Sequence, residues 1–197
     1  VMCLVAHNLF VETAVLKRSG SSALAVVALR IGGAVATAFV LRYTLADTPA
    51  AGASLGVAAA PETVAALLAT WARTTGVLVA KVLAIVTGLM LVQRLLTHFG
   101  ITRWLARAAG PVMRVFGLPG STAFSWIVAN TLGLAYGAAI LIEETKSGRL
   151  ATANARLLNY HIAVSHSLLE DTLLFVAIGV PALWIVVPRL LLAMVAV

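Results

Sequence analysis

Residues 5–30 read VAHNLFVETAVLKRSGSSALAVVALR, and residues 164–189 repeat this pattern as VSHSLLEDTLLFVAIGVPALWIVVPR. When the chain is aligned with itself at a shift of 159 positions, ten of the 38 overlapping positions are identical. The correspondences include residue types that are scarce in this chain. They are His7 with His166, Glu12 with Asp171, Thr13 with Thr172, and Arg30 with Arg189. The sequence therefore predicts an internal duplication, which sets the plan of the whole fold.

The composition around this repeat is typical of a membrane protein. Of the 197 residues, 61% are hydrophobic and only 11% are charged, whereas about a quarter of the residues of soluble domains are charged. A run of about 20 apolar residues can cross a hydrocarbon core roughly 30 Å thick. About six such segments are expected, at residues 1–16, 23–43, 75–97, 121–142, 161–179 and 181–197. We therefore predict an all-α integral membrane protein built from two repeats.

These segments group into three regions. Residues 1–43 are expected to form the C-terminal part of a first repeat, and residues 75–197 a second repeat. Residues 44–74 are rich in Ala, Gly and Pro, which predicts an exposed loop that leads into a short helix. Because Val1 opens directly inside an apolar segment, we expect the chain to be a fragment or processed product of a longer protein.

Basic residues account for the net charge of +7, and they lie mainly in loops between apolar segments. This distribution fits orientation in a bilayer better than binding of nucleic acid. The stretch at residues 101–120 spaces arginines among apolar side chains. It predicts an interfacial amphipathic helix that is broken near Gly110 and Pro111.

The same charges predict how segment 121–142 lies in the membrane. The loops before and after it are both basic, so both are expected on the cytoplasmic side. The segment then enters the membrane and returns, and the two repeats are inverted about an axis in the membrane plane. If the segment crosses fully instead, the two repeats are parallel.

Ionisable residues inside the repeats allow two interpretations, because a carboxylate at membrane depth usually faces either a cavity or a countercharge. The functional interpretation is a midplane site for a cation, a proton or a polar solute. Its lining residues would be His7, Glu12, His166, Glu170 and Asp171. The structural interpretation is that ion pairs join helix hairpins. These pairs would be Glu12 with Arg30 and Asp171 with Arg189.

Glu170 is the first candidate for contact with a solute or proton, because it has no acidic counterpart in the first copy. In a continuous helix His166 and Glu170 share a face, whereas Asp171 points about 140° away from His166. The three side chains therefore face one cavity only if the helix unwinds locally.

A second polar feature lies in the middle of segment 121–142, where Asn130, Gly133 and Gly137 interrupt an apolar run. A broken or re-entrant backbone needs flexible residues and a polar partner. Asn130 and the backbone groups freed by the break would then coordinate a solute. Alternatively, the glycines only allow neighbouring helices to pack closely.

Catalytic signatures are absent from the sequence, which has no HExxH, no GxSxG and no Gly-rich phosphate loop. The single Cys3 excludes an internal disulfide framework and a thiolate metal cluster. We therefore expect a protein that is not an enzyme and that uses no cofactor.

Three stretches together resemble the bacterial nucleoside recognition, or Gate-domain, membrane proteins. They are NTLGLAYGAAILIEE, HIAVSHSLLEDTLLF and AHNLFVETAVLKRSG. That family is similar to the Gate segments of ferrous-iron transporters and to spore maturation proteins. The resemblance implies inverted repeats and movement of a small polar solute or cation. It also implies that Asn130, Gly133 and Gly137 form a broken-helix motif, and that His166, Glu170 and Asp171 lie on its polar helix.

Two hypotheses of function follow. The first is a multi-pass transport protein of the bacterial inner membrane that moves a nucleoside-like solute or a divalent metal ion. Its site would be lined by His166, Glu170, Asp171, Asn130, His7 and Glu12. The second is a membrane assembly protein that transports nothing. The expected partners are the lipid bilayer and a small polar solute or cation, with no nucleic acid, and a homo-oligomer is compatible with the sequence.

Overall fold

A computed structural model describes residues 2–44 and 63–197, and within these ranges the chain is helical with no strand. The expected all-α fold is therefore confirmed. Two short helices and a long one come first. They are α1 (Met2–Ala6), α2 (Leu9–Arg18) and α3 (Ala23–Thr44). Beyond the undescribed residues follow α4 (Val64–His98), α5 (Ile101–Val115), α6 (Ala123–Thr131), α7 (Leu134–Lys146), α8 (Thr152–Ser165), α9 (Leu168–Ala177) and α10 (Ala182–Val195).

Three of the expected apolar segments are divided into two helices each. Segment 1–16 breaks between α1 and α2, segment 121–142 between α6 and α7, and segment 161–179 between α8 and α9. Two of the described helices are long and apolar enough to cross a membrane, namely α4 and residues 23–43 of α3. The six expected segments therefore do not correspond to six uninterrupted long helices.

Helix α4 is longer than expected. The sequence predicts a loop leading into a short helix within residues 44–74 and a separate segment at 75–97, but α4 runs without interruption from Val64 to His98. The Thr63 hydroxyl accepts a hydrogen bond from the Ala66 amide and so caps the helix start. No glycine or proline interrupts the chain strongly enough to end the helix before His98. The expected loop at 45–62 lies outside the described residues.

Helix α5 also differs from the prediction, because it is continuous across Gly110 and Pro111. A proline removes one backbone hydrogen bond and bends a helix, but the remaining bonds can hold it together. Its amphipathic character agrees with the sequence. Met113 is fully buried, whereas Arg103 and Trp104 are exposed.

Helices α6 and α7 form an antiparallel hairpin. The Ser125 hydroxyl donates a hydrogen bond of 2.6 Å to Glu144, and nearer the turn Gly137 lies directly against Ala129. The turn is at Gly133, whose φ of 90° is readily adopted only by glycine. The structure thus has a break at Gly133 as expected, while Gly137 serves close packing of the two helices.

Replacing Gly137 with alanine is expected to lower the free energy of unfolding by about 1–3 kcal/mol, because the added methyl overpacks the hairpin. A Cβ at this position would lie 2.7 Å from the Cα of Ala129, which is backbone and cannot rotate away. Thermal unfolding of the purified protein in detergent would measure the loss. Gly32→Ala in α3 is the matched control, since a Cβ there meets nothing within 4 Å. Equal unfolding temperatures for the two variants would contradict the close packing.

The main hydrophobic core joins α2, α3, α5, α6, α7 and α8. Its fully buried members include Leu16, Val26, Met113, Leu141 and Leu158. A smaller core lies beside it and consists of Val5, Ala34, Val164 and Ala193. At the shift of 159 positions that relates the repeats, Val5 is equivalent to Val164 and Ala34 is equivalent to Ala193. The small core is therefore made of two pairs of equivalent residues, which places both halves around a common centre.

Candidate functional site

The break between α1 and α2 is held by a buried arginine. Asn8 adopts the left-handed conformation with φ 45°, which Asn tolerates better than most residues. Arg30, which is fully buried in α3, donates from Nε to the Val5 carbonyl at 2.9 Å and from Nη2 to the His7 carbonyl at 2.7 Å. These bonds satisfy carbonyl groups that the helix end leaves without an intrahelical partner.

The break between α8 and α9 has the same construction. Ser167 is left-handed with φ 54°, and Arg189 of α10 is fully buried. Arg189 donates from Nε to the Val164 carbonyl at 3.1 Å and from Nη2 to the His166 carbonyl at 2.5 Å. Each contact is the counterpart, at the shift of 159, of a contact of Arg30. The repeat in the sequence is therefore also a repeat in local structure.

A cluster of three ionisable side chains lies between the two breaks, and we call His7, Glu12 and His166 the central triad. The Nε2 atom of His7 lies 3.1 Å from Oε1 of Glu12, and Nε2 of His166 lies 3.2 Å from Oε2. The two imidazole rings are 5.5 Å apart between centroids. His166 and Glu12 are buried, whereas 39% of the His7 side chain is exposed. The triad is therefore closed on one side and accessible from the side of His7.

Both histidines of the triad present the same ring nitrogen to Glu12. The Nδ1 atom of His7 lies 2.9 Å from the Leu4 carbonyl, and Nδ1 of His166 lies 2.8 Å from the Ile162 carbonyl. A carbonyl oxygen can only accept a hydrogen bond, so each Nδ1 carries the hydrogen. Each Nε2 therefore donates to Glu12 when it also carries a hydrogen, and it offers a lone pair to an ion when it does not.

The two ion pairs expected from the sequence are present. Arg30 Nη2 lies 2.6 Å from Oε2 of Glu12, and Arg189 Nη1 lies 2.8 Å from Oδ2 of Asp171. The pairs differ in their other contacts. Glu12 also contacts the two histidines, whereas no contact of Asp171 with either histidine occurs among the described residues. Whether each pair has a structural role, as the sequence suggests, stays a prediction.

The α6–α7 hairpin meets the second break. The Ser167 amide donates to the Ala129 carbonyl at 3.1 Å, and a Cβ on Gly133 would lie 3.8 Å from the Ser167 hydroxyl. Asn130 is buried beside this contact, with its amide nitrogen bonded to the Trp126 carbonyl at 3.0 Å. Its Oδ1 atom is buried and has no hydrogen-bond partner within the described part of the chain. The Oδ1 atom of Asn130 is thus a buried acceptor that lies near the place where the break at Gly133 meets the break at Ser167.

The six expected site residues are only partly brought together. His7, Glu12 and His166 share one cluster, Asp171 is held by Arg189, and Asn130 lies on the hairpin. Glu170 is half-buried, and no hydrogen bond or ion pair reaches its carboxylate within the described residues. The left-handed Ser167 lies between His166 and Glu170, so the spacing of a continuous helix does not apply to them.

Several buried polar contacts at the site were not expected from the sequence. Asn159 and Ser19 exchange two hydrogen bonds, of 2.9 and 3.0 Å, which attach the end of α2 to α8. His161 is fully buried and accepts a hydrogen bond of 3.2 Å from Trp126. The backbone contacts of the two arginines were missed as well, although the repeated 23-residue spacing from histidine to arginine was a signal for them.

Discontinuous helices whose ends meet at a buried charged cluster are typical of one class of helical membrane proteins. A model of the Gate family, described as nucleoside recognition, matches residues 79–188, which is more than half of the chain. The chain belongs to this family, and the resemblance seen in the sequence is confirmed. The matched residues lie inside the region 75–197, and the first copy of the repeat lies outside them.

Comparison with curated proteins gives a relative in Bacillus subtilis (strain 168), named uncharacterized membrane protein YvoD. The two sequences are 28% identical over 184 residues, which is 92% of this chain. The same alignment covers 59% of the relative, so the chain spans less than two thirds of that protein's length. No solved structure matches the chain.

Proposed function

We propose that this protein is a membrane transport protein in which the central triad is the site for a small polar solute or cation. The observation that carries the proposal is the meeting of one histidine from each repeat on a single buried carboxylate. Both histidines stand at helix breaks, one in each repeat. Transporters built from repeats place their sites in this way, at discontinuous helices where the two repeats meet.

Inverted repeats in a multi-pass inner-membrane protein are part of this proposal. The antiparallel α6–α7 hairpin supports them, because a chain that enters and returns leaves the flanking basic stretches on one side of the membrane. The equivalent residues of the small core support a two-fold relation between the halves. The proposal includes no catalysis and no binding of nucleic acid.

The alternative is a membrane assembly protein, and the exposed surface of α4 favours it. Only 6% of the most apolar stretch of this helix is buried. Lipid or a second copy of the chain would cover such a surface in a membrane. In this case the triad serves to hold the two repeats together.

Uptake into proteoliposomes separates the two functions. We expect the reconstituted protein to carry either divalent cations or nucleosides, and His7→Gln to lower the initial rate at least about tenfold, the equivalent of 1.4 kcal/mol. His98→Gln is the matched control, because His98 is the last residue of α4, contacts Phe99 and is not a member of the triad. Absence of flux for every tested solute, by protein with intact helical circular dichroism, would favour the assembly protein.

A further inference from the structure

We infer that the central triad binds one divalent transition-metal ion through Nε2 of His7, Nε2 of His166 and the carboxylate of Glu12. As an assignment of the transported cargo, this inference rests on the proposed function. As a binding site it stands on the geometry alone. One ligand comes from the first break, one from the second, and the third from α2, so the ion would join the two repeats.

The distances within the triad are close to those of a metal site. One ligand atom from each of the three residues lies within 4.8 Å of the other two. Bonds of about 2.0–2.2 Å in a tetrahedral arrangement place neighbouring ligands roughly 3.3–3.6 Å apart. The Nε2 atom of His7 lies 3.1 Å from Oε1 of Glu12, which is close to that spacing, and Nε2 of His166 lies 3.2 Å from the other oxygen, Oε2. Binding of one ion through Oε1 therefore requires His166 to shift toward Oε1 and toward His7, and both rings stand at breaks.

The ring orientation of both histidines also fits metal binding. A metal-bound histidine almost always donates its other ring N–H to a carbonyl or carboxylate, which fixes the ring and directs the free nitrogen at the ion. His7 and His166 each make this bond through Nδ1 to a carbonyl of the preceding helix turn. His161 has the opposite arrangement, because its Nδ1 accepts from Trp126. The chain thus orients as ligands only the two histidines that face Glu12.

The charge at the triad indicates reversible binding. Arg30 lies against Oε2 of Glu12, so the carboxylate is already neutralised and Oε1 is the oxygen left for an ion. The fixed cation at the site weakens the attraction for a second cation. A transported ion must bind well enough to enter and weakly enough to leave. The exposed edge of His7 is the route by which an ion reaches the triad.

The ligand types select the class of ion. Imidazole nitrogen suits Zn²⁺, Ni²⁺, iron and copper, whereas Mg²⁺ and Ca²⁺ prefer oxygen ligands throughout. Two imidazoles and one carboxylate therefore favour a first-row transition ion. Three protein ligands also leave a coordination position for water, as in sites whose ion must exchange.

Cobalt absorption tests this site directly. Co²⁺ added to the full chain in detergent is expected to give visible bands of a four-coordinate site, which Zn²⁺ removes and a hundredfold excess of Mg²⁺ leaves unchanged. His7→Gln and His166→Gln should each weaken Co²⁺ binding at least about 100-fold, since even residues outside the ligand shell cost about 10- to 100-fold. His98→Gln and His161→Gln are the controls and should bind Co²⁺ as the unchanged chain does.

The result that would overturn the inference is Co²⁺ binding that both triad variants retain, or no Co²⁺ binding by protein that stays helical. Flux measurements keep this result separate from the transport proposal. Nucleoside uptake without metal binding would contradict the metal site and still support the transport proposal. Metal binding without flux of any solute would support the metal site and contradict the transport proposal.

Discussion

Replacing Arg189 with alanine is expected to lower the free energy of unfolding by about 3–5 kcal/mol, the range found when one member of a buried ion pair is removed. The Arg189 side chain is fully buried, and the Asp171 side chain is only 14% exposed, so the variant leaves a carboxylate with little access to water. It also removes the donors that satisfy the Val164 and His166 carbonyls at the helix break. Thermal unfolding in detergent would measure the loss.

A double variant separates the ion pair from the backbone contacts. Asp171→Asn added to Arg189→Ala should recover part of the lost stability, because no buried charge is then left without a partner. The part of the free energy of unfolding that is not recovered measures the two contacts of Arg189 with the Val164 and His166 carbonyls. Arg103→Ala is the control, since Arg103 is exposed on α5 and should change stability by no more than about 0.5 kcal/mol. A loss for Arg189→Ala no larger than that of the control would show that the break does not depend on the arginine.

Replacing Glu12 with glutamine is expected to abolish transport, with a loss of at least about 100-fold in initial rate, equivalent to about 2.8 kcal/mol. It removes the charge that both histidines face and leaves the fully buried Arg30 without its countercharge. The second effect should also destabilise the protein by about 3–5 kcal/mol. Uptake by proteoliposomes, together with unfolding of the same preparation, measures both effects.

Stability and transport can be separated at Glu12 because the two effects respond differently to a second change. Glu12→Gln combined with Arg30→Met should regain stability without regaining flux, whereas Glu143→Gln on the exposed face of α7 should alter neither. Asp171→Asn should reduce stability and keep most of the flux, since Asp171 contacts Arg189 rather than the histidines. Flux that returns in the double variant at Glu12 and Arg30 would assign the triad a structural role.

The sequence predicted the helix break at Gly133 but not the breaks at Asn8 and Ser167. A glycine marks a position where unusual backbone angles cost little, so the signal for Gly133 is local. Asn8 carries only a weak signal of this kind, because Asn tolerates the left-handed conformation better than most residues, and Ser167 carries none. Their conformations depend on arginines that lie 22 residues further along the chain and bind the carbonyl groups of each break. A tertiary contact of this kind overrides local preference and becomes visible only in the folded structure.

The same physical reason explains which site residues were placed correctly. The repeat related His7 to His166 and Glu12 to Asp171, and the ion pairs with arginine followed from the cost of unpaired charge in an apolar surrounding. Helical spacing, in contrast, does not place Glu170 relative to His166, because the angle of 100° per residue does not extend across the left-handed Ser167, and the role of Glu170 stays a prediction. The residue types and their repetition thus predicted the two ion pairs between carboxylates and arginines. The direction in which each side chain points could not be predicted, because it depends on where the helices break.

The central triad makes the two halves of the duplicated protein unequal. The duplication supplies two equivalent carboxylates, but among the described residues Glu12 contacts the two imidazoles and Asp171 does not. Asp171, which is shorter by one methylene group, contacts Arg189 instead. The two repeats therefore share one scaffold, while the anion between their two histidines comes from the first half.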